Sequence, residues 1–321
     1  MTEPVEASIE SQAAPERPVT EPEIRAIPVR HYGRWIGAVV AILFVVLVAR
    51  LFILSPNIKW GKVAHYLFDG QILVGLRLTI IFTIAAMTIG ITLGIVIAVM
   101  RLSVNPVLRT ISWFYIWVFR GTPMLVQIIF WYNIAVILPR IGIGIPYTHW
   151  GWSTSTNAVF SASIAAIVAL GLNETAYMSE IVRAGIQVVD YGQTEAGLAV
   201  GMKRGLVFRL IVLPQAMRAI IPPTGNDIIG MLKSTSLVSV IAAQELLTKA
   251  QNIYAGNFLT IELLLVAAFW YLVVTTVLTW GQYYVERHFA RGATNREPPP
   301  TPLQRLRSQM SRLLSVRGTT P

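Results

Sequence analysis

Cysteine is absent from all 321 residues, which excludes a disulfide framework, a thiolate zinc site and a cysteine nucleophile. Charge is scarce as well. Asp, Glu, Lys and Arg make up 13% of the chain and hydrophobic residues 54%, the balance of a polytopic helical membrane protein rather than a soluble domain. No Gly-x-x-x-x-Gly-Lys-Ser/Thr sequence occurs, so the chain has no phosphate loop with which to cradle ATP in the usual way. Histidine is limited to His31, His65, His149 and His288, widely scattered and without paired carboxylates, and no metal site is expected. The formal net charge of +10 belongs, in a chain this apolar, to membrane orientation rather than to nucleic-acid binding.

What the sequence has in quantity is long apolar runs. A spanning helix needs roughly 20 apolar residues to cross about 30 Å of hydrocarbon. Five segments meet this directly, at 35–54, 76–100, 159–181, 221–243 and 261–284. A sixth region, 107–138, is too long for one perpendicular span and is broken by Arg120-Gly121-Thr122-Pro123. Thr is a good N-cap and Pro fits the first helical position, so a helix can restart at Thr122. This gives a short interfacial helix, aromatic through Trp113, Phe114, Tyr115, Trp117 and Phe119, followed by a span from Pro123. The other reading is one tilted helix with a kink.

Placing the N-terminus in the cytoplasm puts Arg101, Arg109, Arg183, Lys203, Arg204, Arg209, Arg218 and Arg287 on the inner side, and leaves only Lys59, Lys62, Arg140 and Lys249 opposite. That asymmetry predicts both termini inside. Residues 1–32, rich in Glu, Pro and Ala, read as a disordered cytoplasmic tail, and nothing in them resembles a secretion signal. Residues 288–321 read as a basic cytoplasmic tail. Between them the expected organisation is an extra N-terminal span at 33–56 and a transmembrane domain at 71–287 holding a cytoplasmic loop at 190–214.

That loop interrupts the apolar pattern with two short pieces. The first covers about 194–200 and is ended by Gly201, where a positive φ costs glycine little. The second runs from Arg204 until Pro214 is expected to stop it, with Leu206, Val207, Leu210 and Ile211 as an apolar stripe to rest on the spans. The small residues of the first piece let another protein's groove approach its backbone. An interfacial loop with no partner fits the composition equally well.

Glu195-Ala196-Gly197-Leu198-Ala199-Val200-Gly201, nine residues, then Ile211-Val212-Leu213-Pro214 resembles the cytoplasmic coupling motif of permease subunits of bacterial ATP-binding-cassette importers. Further matches at Phe119 to Pro123, Ala176-Tyr177, Glu180 to Ile186, Leu213 to Ala216, and Leu232-Lys233 with Thr235 to Leu237 are similar to the polar amino-acid uptake branch. The third motif position, usually alanine, is Gly197, which weakens helix propensity by up to about 1 kcal/mol and predicts a slightly more mobile coupling helix. Ser234 stands where the family commonly has aspartate.

The resemblance implies an all-α integral membrane protein of about six transmembrane helices, a five-helix type I importer core plus the extra N-terminal one, with a cytoplasmic coupling helix. It implies an inner-membrane permease subunit, not itself an enzyme, forming the pathway for polar amino acids. ATP and Mg would be held by two cytoplasmic ATP-binding subunits, docked through Glu195, Ala196, Gly197, Ala199, Gly201, Ile211, Leu213 and Pro214. A second permease subunit and an extracytoplasmic amino-acid-binding protein are further implied partners. An ion-coupled secondary carrier would predict inverted repeats, none of which is visible. A non-transporting membrane scaffold for an ATPase is the third reading.

Asn173, Glu174, Tyr177 and Glu180 share one helix face, and Lys233, Ser234, Thr235 and Ser236 fall near the middle of the next span. Buried charges are costly unless paired or hydrated. Lys233 is therefore expected opposite Glu174, Glu180 or a substrate carboxylate, or in a static salt bridge between spans. Arg120, Gly121, Thr122 and Pro123 are candidates for a gate or helix restart. Asn226 and Asp227 read as stabilisers of a helix start after Pro222-Pro223.

Overall fold

The computed structural model describes residues 32–144 and 151–290. The tails expected before and after these residues, with His31 and His149, lie outside the described residues. The chain divides into two units, Met1–Asn57 and Ile58–Pro321. The first holds α1 (Tyr32–Ile53), a single 22-residue helix of about 33 Å at 1.5 Å per residue. It occupies the segment expected as the extra N-terminal span.

The second unit opens with a short amphipathic helix, α2 (Trp60–Leu67), which precedes α3 (Gly70–Leu102). Asp69 caps α3 by accepting from the Gln71 N–H at 2.8 Å. At 33 residues the helix is about 50 Å long, more than the hydrocarbon thickness. After Ser103 the chain turns into α4 (Pro106–Gly121), with Asn105 as cap and Pro106 in the first turn, where its missing N–H costs nothing.

A sharp bend of 103° separates α4 from α5 (Met124–Tyr132). The expected break is real, but its parts differ. Thr122 caps the C-terminal end of α4 and Pro123 is the N-cap of α5. At nine residues, α5 is about 13 Å long and does not cross a bilayer alone. The chain leaves α5 through a 3₁₀ turn, Ile134–Val136. It then contributes an antiparallel strand pair, β1 (Arg140–Gly144) with β2 (Gly151–Ser155), Arg140 opposite Ser155. This pair of strands was not expected from the sequence.

After the short α6 (Thr156–Val159) comes α7 (Ala162–Gln187), which packs along α3 at the centre of the unit. Small residues permit that closeness: a Cβ on Gly90 would lie 2.4 Å from Glu174 Cγ, and one on Gly171 would lie 2.9 Å from Ile89 Cβ. Phe82, Ala86, Met87, Ile128, Leu170 and Met178 form the surrounding core. Four described helical segments are long and apolar enough to cross a membrane, or five with the α4–α5 pair counted as one. α7 is not among them, because Asn173 and Glu174 interrupt its apolar run; its central position covers both, and each is buried.

The loop expected at 190–214 contains α8 (Tyr191–Ala199) and α9 (Arg204–Val207). Contrary to expectation, Pro214 ends nothing. A π turn, Phe208–Val212, connects α9 to α10 (Leu213–Ser234), and a 3₁₀ segment, Thr235–Ile241, extends it. The result is one helical span over Arg204–Ile241. Pro214 falls in the first turn of α10, directly after the π turn. Pro222 and Pro223 also lie inside α10. Gln282 Nε2 donates to the Pro222 carbonyl at 3.3 Å and to Asn226 Oδ1 at 3.0 Å, which ties the proline stretch to the last helix of the unit.

Two further helices complete the unit, α11 (Leu246–Asn257) and α12 (Thr260–Ala290). Glu245 is fully buried yet satisfied: it accepts from the Leu247 and Thr248 N–H groups at 2.8 and 2.7 Å and from the Tyr271 hydroxyl at 2.7 Å. It therefore caps α11 and ties that helix to α12.

Candidate functional site

At one end of the second unit α8 stands against the turn that follows it. Asp190 Oδ1 accepts from the Gly192 N–H at 2.7 Å and starts the helix. Its end is a Schellman motif: the Met202 N–H donates to the Gly197 carbonyl at 3.1 Å and the Gly201 N–H to the Leu198 carbonyl at 2.9 Å. Gly201 has φ +85°, the left-handed conformation anticipated for it.

Glu195, Ala196 and Ala199 are exposed on α8, and Gly197 is its buried residue. A Cβ at 197 would lie 2.9 Å from Val207 Cγ2 and 3.0 Å from Ile211 Cδ1. Gly197 therefore packs closely on the Val207 and Ile211 side chains, which would have to shift to admit an alanine here. The stripe expected from Leu206 to Ile211 is also redrawn. Val207 and Val212 are buried while Leu206 and Leu210 are exposed, because the π turn shifts the helical period between them. Leu213 is half-buried and Pro214 exposed.

The second candidate is a cleft of about 490 Å³ where the α4–α5 break faces α7 and α10. Arg120, Gly121, Thr122 and Pro123 line one side of it. Asn173, Glu174 and Tyr177 come from α7, and Asp227, Gly230 and Ser234 from α10. The break is held in shape from behind by amides. Gln127 Nε2 donates to the Phe119 carbonyl at 2.9 Å and to Thr122 Oγ1 at 2.7 Å. Asn173 Nδ2 donates to Gln127 Oε1 at 3.1 Å and to the Phe119 carbonyl at 3.2 Å. Peptide groups that the bend removes from the helical ladder thus keep partners.

At the mouth of the cleft the Arg120 guanidinium carbon lies 5.1 Å from the centroid of the Tyr177 ring, within cation–π range. Deeper in, Glu174 Oε1 and Asp227 Oδ2 are buried with no hydrogen-bond partner. Unsatisfied carboxylate oxygens in a cleft are costly, and a ligand carrying N–H donors or positive charge would satisfy them.

Sequence reasoning brought Arg120–Pro123, Asn173, Glu174, Tyr177 and Ser234 forward, and these meet in one cleft. Lys233, Thr235, Ser236 and Glu180 do not line it. Glu180 pairs with Arg183 one turn along its own helix at 2.7 Å, and Lys233 is exposed and makes no ion pair with Glu174 or Glu180. Thr235 and Ser236 spend their hydroxyls on the carbonyls of Leu232 and Lys233, both at 2.7 Å. Asp227 was assigned to a helix start; α10 begins at Leu213, so Asp227 sits far inside the helix and on the cleft. The signal available for it was the rarity of acids in apolar spans.

Residues 90–291 match the family model described as "Binding-protein-dependent transport system inner membrane component". The chain is 44% identical over 275 residues to the arginine transport system permease protein ArgU of Corynebacterium glutamicum, covering 84% of each. It is 36% identical over 213 residues to the nopaline transport system permease protein NocM of Agrobacterium fabrum, covering 65% of this chain and 83% of that one. Among solved structures, an amino acid ABC transporter crystallised with histidines has a chain that superposes with a TM-score of 0.59 at 34% identity, covering 68% of this chain and 94% of that one. The chain belongs to the family of binding-protein-dependent transport system inner membrane components, the permease subunits of ATP-binding-cassette importers.

Proposed function

We propose that this permease carries amino acids with a cationic side chain through the cleft between Arg120, Glu174 and Asp227. The observation that carries the reading is the pair of partnerless carboxylate oxygens, Glu174 Oε1 and Asp227 Oδ2, below a guanidinium at the mouth. A zwitterionic cationic amino acid has one carboxylate for Arg120 and two cationic groups for the acids. The names of the similar arginine and nopaline permeases support the same substrate class.

In this reading two permease subunits, identical or related, face each other across the pathway. An extracytoplasmic binding protein delivers the substrate. Two ATP-binding subunits, holding ATP and Mg, dock on the exposed face of α8 around Glu195, Ala196 and Ala199, with both termini of this chain on the same cytoplasmic side. Gly197, Gly201, Ile211, Leu213 and Pro214 shape the seat of that helix. Closure of the ATP-binding subunits draws the two α8 helices together and tilts the spans to open the pathway outward; hydrolysis resets it.

The test is uptake of labelled arginine into vesicles containing the reconstituted complex, ATP and the binding protein. Glu174→Gln with Asp227→Asn should lower arginine uptake by at least about tenfold, the order expected when buried charge-assisted contacts are lost, with assembly intact. Unchanged arginine uptake by the assembled double variant would refute the cationic reading.

A further inference from the structure

At the α8 end of the unit, where α3 gives way to α4 and α7 reaches its last turn, lies a separate cleft of about 250 Å³. It is lined by Arg101, Leu102, Ser103, Arg109, Arg183 and Gln187. Three arginines therefore line one small cleft, and no acid is among its lining residues. Arg183 is held by Glu180 and by the Gln187 side-chain oxygen. Arg101 and Arg109 have no ion-pair partner among the described residues.

The surroundings are apolar. Leu102 lines the cleft, Val104, between the two helices, is fully exposed, and Val107, Leu108 and Ile111, within two residues of Arg109 on α4, are exposed as well. An unpaired basic pair next to exposed aliphatic side chains suits a ligand that is anionic at its head and apolar in its body. We infer that this cleft binds the phosphate headgroup of an anionic phospholipid of the cytoplasmic leaflet, with the acyl chains lying over Leu102, Val104 and Val107. Arg101 and Arg109 supply the charge for the phosphate. Ser103 offers its hydroxyl, although its oxygen already accepts from the Asn105 N–H at 3.1 Å. Arg183, held by its two partners, completes the lining.

The inference rests on reading the α8 end as the cytoplasmic face, and it assigns a structural lipid to the corner that leads to α8. A ligand there links the end of α3 to the last turn of α7, from which the chain enters α8 through Asp190.

The test uses the assembled importer with the full chain, delipidated in detergent and offered a mixture of phosphatidylglycerol and phosphatidylcholine, with retained lipid counted by native mass spectrometry. The wild-type complex should retain phosphatidylglycerol over phosphatidylcholine by at least about fivefold, as attraction of basic residues to an anionic leaflet predicts. Arg101→Gln with Arg109→Gln should bring the ratio close to unity, and the double lysine variant, which keeps the point charges, should preserve most of it.

Absence of a wild-type preference overturns the inference whatever the variants do, and so does an unchanged preference in the glutamine variant. Displacement of the lipid by millimolar inorganic phosphate identifies a free-anion site and also overturns it. Loss of the ATP-binding subunit from the glutamine variant with lipid retention intact assigns the arginines to a protein interface instead. ATP-driven uptake by the wild-type complex is measured in parallel. Uptake without lipid selectivity rejects this inference alone, whereas lipid selectivity without uptake rejects the functional reading alone.

Discussion

The α8 end and the Arg120–Glu174–Asp227 cleft place their functional groups in different ways. The first takes its shape from consecutive residues: Asp190 starts α8, Gly201 stops it and Gly197 seats it on Val207 and Ile211. The cleft gathers side chains from a broken helix pair, from α7 and from α10, so its geometry depends on how three segments pack. Local structure of the first kind is set by caps and turn preferences that any stretch of chain can express. Structure of the second kind exists only when the bundle has formed.

The contrast can be broken most forcefully at the exposed face of α8. Glu195→Lys reverses an exposed charge with no ion-pair partner among the described residues, so membrane insertion and folded yield should persist while ATP-driven uptake falls by about tenfold or more, the scale of a lost interfacial charge contact. Full uptake by this variant would remove α8 from the coupling surface. A smaller effect is expected behind the cleft. Gln127→Ala removes an amide that satisfies the Phe119 and Thr122 carbonyls and Asn173, so thermal unfolding of the complex should reveal a loss of about 1–3 kcal/mol. No change there would mean that the bend needs no support from Gln127.

The smallest effect separates the two regions from their neighbours. Lys233→Met changes an exposed side chain with no ion-pair partner among the described residues, and should alter stability by less than about 0.5 kcal/mol. A collapse in folded yield would restore the salt bridge between spans that its position in the sequence suggested.

Most helices were legible because apolar runs and their interruptions are strong signals. The breaks near Gly121 and Gly201 were equally visible, since glycine and proline mark turns for steric reasons. What escaped was chiefly the role of prolines. Pro214 and Pro222-Pro223 read as boundaries, yet one helical span runs through all three, Pro214 directly after a π turn. In a bundle the surroundings of a helix make interior prolines tolerable, and that leaves no local trace in the sequence. The same error displaced Asp227, because a helix assumed to begin after Pro223 made it a cap. Gly197 adds a packing role that its helix propensity does not express. Helix propensity describes an isolated helix, whereas the decisive fact at 197 is the 2.9 Å that a Cβ would leave to Val207 Cγ2.

By itself the sequence determined that this chain lies in a membrane, where its helices interrupt, and that a short helix ended by Gly201 stands outside the spans. These follow from transfer free energy and backbone sterics, which act residue by residue. Only the tertiary structure decided which polar groups meet. It paired Glu180 with Arg183, left Lys233 outside, and set Glu174 near Asp227 below Arg120. The reason is that close packing of α3 on α7, permitted by Gly90 and Gly171, fixes the rotation of α7 and hence the face it turns to the cleft.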